Sequence, residues 1–197
     1  TWGGVGTYAA ELGRELSKYP DLELHVFTPA YGKDYDKKKL LSQFDNKIKI
    51  HNVSKANDTF FYNANFQWAI FSKFNAIHKK ENFDLIHSTN LVHMPDILLK
   101  IKGTKIPSIV FAHTTIRGQV RGFLEANKNF FKMATSEKMS LLLYPLISFL
   151  EKIYLKKTEY LMTASKKFAD MFKSEYKFKK PIQVVRYGID LNCFNPN

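Results

Sequence analysis

Three glycines, Gly3, Gly4 and Gly6, stand within four positions at the start of TWGGVGTYAAELGREL, and an amphipathic run follows at once. Glycine lets a backbone come close to an anion, and the N-terminus of the helix behind it offers free N–H groups and a positive dipole end. The same residues serve equally well as a plain glycine cap behind a flexible leader, and spacing alone leaves these two readings level. The stretch is not a dinucleotide fingerprint, which needs a third glycine where this chain has Ala9, and no Gly-Lys-Ser/Thr follows as in a P-loop. Further along, polar residues sit directly after apolar runs. Ser88, Thr89 and Asn90 close FDLIHSTN, His113 closes PSIVFAH, Ser165 closes EYLMTAS, and Arg186 and Gly188 close IQVVRYG. Such residues can hydrogen-bond a polar ligand and are not needed by a core. The six histidines are scattered without tight ligand spacing, so no metal site is expected.

These groups need elements to position them. Val5, Tyr8, Leu12 and Leu16 recur at helical spacing, which predicts a helix over about residues 6–18. Apolar stretches predict strands over residues 23–28, stopped by Pro29, and over 47–53, 83–88, 107–113, 159–165 and 182–187. Helical patterns fall between them, over about residues 65–80, 94–101, 127–157 and from 165 to 176. The longest is expected to break near Tyr144, because Pro145 disfavours a helical residue before it. Strands alternating with helices give an α/β, Rossmann-like parallel sheet with helices on both faces. Ligands of such sheets bind at the carboxyl ends of the strands, where the polar residues above fall. A strand normally precedes a glycine turn of this kind, so the first strand is expected to be missing from the chain.

Composition narrows the partners. With 197 residues, 45% of them hydrophobic, the chain can bury a sizeable core and is not a disordered tail. A net charge of +12 favours anions: nucleotides, phosphates, nucleic acid or acidic lipid. Aromatic–basic and helix-turn-helix patterns of nucleic-acid binders are not evident, which lowers that option. The single cysteine, Cys193, leaves no intrachain disulfide and fits a reducing compartment. The apolar run LLLYPLISFL is too short to span a bilayer. The expectation is a cytoplasmic protein. Phe66, Ile70, Phe74 and Ile77 form a stripe with Lys73, Lys79 and Lys80 nearby, which packs on the sheet or docks on anionic lipid.

Read together, the two ends of the chain resemble the family 4 glycosyltransferases, which have the GT-B fold. GGVGTYAAELGREL is similar to that family's first loop and helix, and EKIYLKKTEYLMTASKKFAD with PIQVVRYGIDLNCFNPN is similar to the end of its N-terminal domain. FDLIHS and IPSIVFAHTT resemble two strands between them, in the right order. Tyr187 departs from the asparagine common in the family, and Thr114 from an aspartate.

The resemblance implies one N-terminal, acceptor-side Rossmann-like domain over residues 1–197, with the C-terminal donor domain missing. It implies retaining transfer of a sugar from a nucleoside diphosphate sugar to a hydroxyl of a sugar or lipid-linked acceptor, with no cofactor and no metal. Gly3, Gly4 and Gly6 would approach the diphosphate, His113 would contact the donor sugar, and Ser165, Arg186 and Gly188 would line the donor cleft. Ser88, Thr89 and Asn90 would face the acceptor. The partners implied are the nucleotide sugar, the acceptor, the protein's own C-terminal domain and an anionic membrane surface. The chain alone is expected to be inactive. Two glutamates separated by seven residues mark the missing domain, and the same spacing at Glu15/Glu23 and Glu151/Glu159 is set aside, because those residues belong to N-terminal helices and strands. The competing reading is a Rossmann module without catalysis that binds nucleotides, nucleic acid or a membrane.

Overall fold

A computed structural model describes residues 3–31, 37–42, 44, 47–56, 62–126, 131 and 133–188. Helix α1 (Gly3–Leu16) leads to β1 (Leu24–Tyr31), α2 (Lys37–Ser42), β2 (Ile48–Ala56) and α3 (Tyr62–Glu81). Then follow β3 (Ile86–Ser88), α4 (Ile97–Lys102), β4 (Ser108–Ala112), α5 (Ile116–Ala126), α6 (Thr135–Leu142) and α7 (Tyr144–Lys157). The order ends with β5 (Tyr160–Thr163), α8 (Lys166–Glu175) and β6 (Ile182–Val184). Every strand pairing is parallel: β1 with β2 in one sheet, and β3-β4-β5-β6 in a second. Parallel neighbours need crossovers, and the helices supply them.

Residues two apart on a strand share a face. On one face of the four-stranded sheet, Val110, Ala112 and Leu161 pack with Ile97 of α4, Tyr154 of α7 and Phe172 of α8. The other face carries His87, Ile109, Phe111 and Met162, and Tyr8 of α1 covers Phe111 with ring centroids 4.7 Å apart. The smaller sheet is also covered on both sides. Ile70 and Phe74 of α3 pack against Val53, in a cluster that includes Phe27 of β1, Ile86 of β3 and Leu99 of α4. Ala10 of α1 packs on the opposite side with Leu24, Ile48 and Ile50. Helices α1 and α3 therefore each span both sheets, from opposite sides. The edges β1 and β3 are not paired with each other among the described residues.

Three departures from the sequence pattern have physical reasons. Gly3, Gly4 and Gly6 form the first turns of α1 rather than a loop ahead of it. The only described glycine with positive φ is Gly103, the C-cap of α4, so Gly4 needs no special backbone angle. Docking through Tyr8 and Ala10 outweighs a helix penalty of about 1 kcal/mol per glycine. Strand β1 runs through Pro29, because the register shifts between Thr28 and Pro29 and a bulge relieves the ladder of the missing proline N–H. Helix α5 was not expected at all, and it is capped from a distance: the Ile116 N–H donates to Glu151 Oε2 at 2.9 Å, and the Gly118 N–H donates to Thr115 Oγ1 at 3.0 Å. The expected break near Tyr144 separates α6 from α7, with Pro145 in the first turn of α7.

Candidate functional site

The sheet register places the ends of β4, β5 and β6 side by side, with Ala112 level with Thr163 and Thr163 level with Val184. His113 follows at once. Its Nδ1 lies 2.6 Å from the Tyr187 hydroxyl, and the two rings are within 7° of parallel. Tyr8 stands edge-on to both, with centroids 4.7 Å from His113 and 5.6 Å from Tyr187. Phe111 underlies the group at 4.7 Å from His113. Gly4 lies one helical turn before Tyr8 on the same side of α1, so the N-terminal amides of that helix sit at this edge.

Burial sets the electrostatics. It holds the His113 imidazole below its ordinary pKa, an effect partly offset by the Thr89 backbone. Burial, with His113 adding, does the same to His87. Both rings are therefore neutral at pH 7 with their Nε2 atoms buried; that of His87 has no hydrogen-bond partner, and the Thr89 backbone lies beside the His113 ring. Burial pushes the Tyr8 phenol up to about 12, with Tyr187 contributing, so it keeps its proton.

The structure brings some expected residues to this edge and turns others away. Thr89 reaches His113 through its backbone. Asn90 is half-buried, and its Oδ1 accepts the Val92 N–H at 3.0 Å. Ser88 is only 2% exposed and donates to Asp96 Oδ1 at 2.6 Å, so its hydroxyl is engaged in the core. Ser165 caps α8 by accepting the Phe168 N–H at 3.3 Å. Arg186 and Gly188 are exposed after β6.

Three groups escaped the sequence reading. Asp96 also accepts from the Tyr154 hydroxyl and lies 3.8 Å from the Lys100 ammonium, which donates to Ser108. Glu151 is fully buried and holds the Tyr176 hydroxyl at 2.6 Å as well as the Ile116 N–H, which fixes the turn beyond His113. A carboxylate inside the apolar run LLLYPLISFLEKIYL was the available signal for it. Glu23, His25 and Glu81 offer ligand atoms within 4.8 Å of one another at the start of β1. They could hold a divalent cation, but Lys49 already pairs with both carboxylates, and His25 Nδ1 lies 2.8 Å from His51 Nε2. This cluster is an ion-pair network far along the strands from His113. A groove of about 380 Å³ lined by Lys152, Lys156, Lys177, Lys179 and Lys180 opens beside the N-terminal ends of β5 and β6, also away from His113.

Comparison with known proteins places this geometry. No curated protein matches the sequence. Among solved structures, the chain is similar to Glycyrrhiza uralensis UGT73P12 complexed with glycyrrhetinic acid 3-O-monoglucuronide, with TM-score 0.52 and 10% identity over 92% of this chain and 46% of that one. It is likewise similar to Phytolacca americana apo UGT2, with TM-score 0.58 and 9% identity over 98% of this chain and 51% of that one. The chain thus spans about half the length of these structures, and at such identity the likeness carries the fold alone: an α/β domain of the GT-B kind. The model of Glycosyltransferase Family 4 matches residues 2–192. With nearly its whole length matched, and its polar residues gathered at the carboxyl edge of a GT-B-type sheet, the chain belongs to glycosyltransferase family 4.

Proposed function

We propose that the chain is the acceptor-side, N-terminal half of a retaining glycosyltransferase, which moves a sugar from a nucleoside diphosphate sugar to an acceptor hydroxyl. The observation that carries this reading is the meeting of α1, His113 and Tyr187 at the carboxyl edge of the sheet. Breaking the anomeric bond builds positive charge on the sugar and negative charge on the leaving diphosphate. Donors aimed at the diphosphate stabilise that charge, and the N–H groups left free at Gly3 and Gly4 in the first turn of α1 are suited to it. His113, Ser165, Arg186 and Gly188 face the donor side of the cleft, and the Thr89–Asn90 turn faces the acceptor. A second domain supplies the remaining donor contacts.

The test is a screen of nucleotide sugars with the full-length protein, with the anomeric configuration of the product read by NMR. Transfer with retention is the expected result, and residues 1–197 alone should be inactive. Inversion rejects the retaining mechanism, and transfer by the chain alone at the full-length rate rejects the half-site.

One observation favours a membrane-bound acceptor. Leu142, Leu143, Leu146 and Phe149 are exposed where α6 meets α7, in a chain of net charge +12. No helix among the described residues is long and apolar enough to cross a membrane. On this reading the protein works in the cytoplasm and docks peripherally on anionic lipid. Co-sedimentation with anionic but not neutral vesicles is expected, and equal binding to both would reject the electrostatic part.

A further inference from the structure

His113 is the residue expected to meet the donor sugar, yet neither of its ring nitrogens faces the open edge. Tyr187 Oη covers Nδ1 at 2.6 Å, and Nε2 is buried. The group left facing solvent is Tyr187, with half of its surface exposed. We propose that Tyr187 is the polar group this half-site presents to the sugar, and that His113 is the positioning residue that holds and polarises it. The proposal rests on reading this edge as the donor-facing side of the cleft.

Hydrogen-bond chemistry supports the division of roles. A neutral imidazole carries one N–H and one lone pair. The Thr89 backbone carbonyl beside the ring favours an N–H on the buried side, which leaves Nδ1 as the acceptor of the Tyr187 proton. A phenol that donates to imidazole becomes a better acceptor itself, because hydrogen bonds in a chain polarise one another. The free lone pair of Tyr187 Oη then suits a sugar hydroxyl. The ring is steered as well. Tyr8 meets it edge-on, and His113 holds its hydroxyl, so its plane is set before a ligand arrives. The ligand class that fits is a neutral pyranose, with a C–H face for the ring and a hydroxyl for its oxygen. An amide at position 187 would offer the hydroxyl contact without the stacking face.

The test uses the full-length protein with the nucleotide sugar that it turns over. The variants are Tyr187→Phe, His113→Ala and the double substitution, each checked by thermal melting. Each single change should lower kcat/KM on the order of 100-fold. The double variant should lose little more than either single variant, because the two residues act as one unit. Tyr187→Phe should also move the His113 Nδ1 resonance in 15N NMR while the other histidines stay in place. Normal kcat/KM in Tyr187→Phe beside a large loss in His113→Ala overturns the proposal and leaves His113 as the direct contact. Single losses that multiply in the double variant also overturn it. A wild-type protein that turns over no nucleotide sugar removes the donor reading and the proposal with it.

Discussion

The two faces of the four-stranded sheet are built from alternate residues of the same strands, and they treat polar groups in opposite ways. On the side of α4 and α7, Ser88, Asp96, Tyr154, Lys100 and Ser108 are sealed together and bonded to one another. On the side of α1, His87 keeps a buried nitrogen without a partner, His113 is bonded to Tyr187, and Tyr187 stands half exposed. The buried network, in which Asp96 Oδ2 has only the Lys100 charge at 3.8 Å, fixes strands and loops in place. The open edge presents the Tyr187 hydroxyl, hydrogen-bonding capacity that a ligand or another domain can use. The first face is the frame, and the second is the site that the frame presents.

Asp96→Ala should have the largest effect. It leaves the Lys100 ammonium and two hydroxyls buried without their carboxylate, a loss of about 3–5 kcal/mol. A denaturant midpoint close to wild type would show that the network does not frame the fold. His113→Ala should do the reverse: turnover in the full-length protein falls roughly 100- to 1000-fold, about 2.7–4 kcal/mol, with little change in melting temperature. A matching loss of melting temperature would move His113 to the structural side of the comparison. Gly4→Val comes third. A Cβ there meets nothing within 4 Å and the backbone angle is ordinary, so stability should stay within about 0.5 kcal/mol. Activity should still drop about tenfold or more, because the side chain keeps a diphosphate from one backbone N–H.

The smallest expected effect is in pH dependence, where the groups differ in sign. Burial lowers the imidazole pKa of His87, His93 and His113, so the unfolded chain binds more protons than the native one as the solution acidifies. Stability should therefore fall as pH drops below about 6.5 and on through the folded values. Burial raises the carboxyl pKa of Glu151, against the bonds from Tyr176 and Ile116. There the native state binds the extra proton, and stability should fall as pH rises above about 4.3 towards the folded value. Melting temperatures across pH for wild type, His87→Gln and Glu151→Gln separate the two. Each substitution should flatten its own limb, and an unchanged curve would reject that group as its source.

The strands and most helices were legible because their apolar spacing is local. The elements misread depend on distant partners. Glycines argue for a turn at Gly3–Gly6, but Tyr8 docks on Phe111, which no local pattern reveals. Helix α5 has glycines and a polar stretch, and the carboxylate that caps it is 35 residues away. Strand-end logic found His113 and the stretch from Arg186 to Gly188, yet not the pairing of His113 with Tyr187, which spans 74 residues. Ser88 shows the limit of that logic: a hydroxyl at a strand end can point to either face, and parity with Val110 sends it inward.

Among the described residues β1 and β3 each have an edge that pairs with no strand, and this also bears on how the chain behaves in solution. An exposed strand edge is a row of hydrogen-bonding groups that templates another extended segment, and Pro29 with its bulge blunts only the far end of β1. Through these edges, copies of this chain should recruit one another. Light scattering should then rise with concentration well before the helices melt, so that colloidal behaviour, rather than unfolding, limits how the isolated half can be kept.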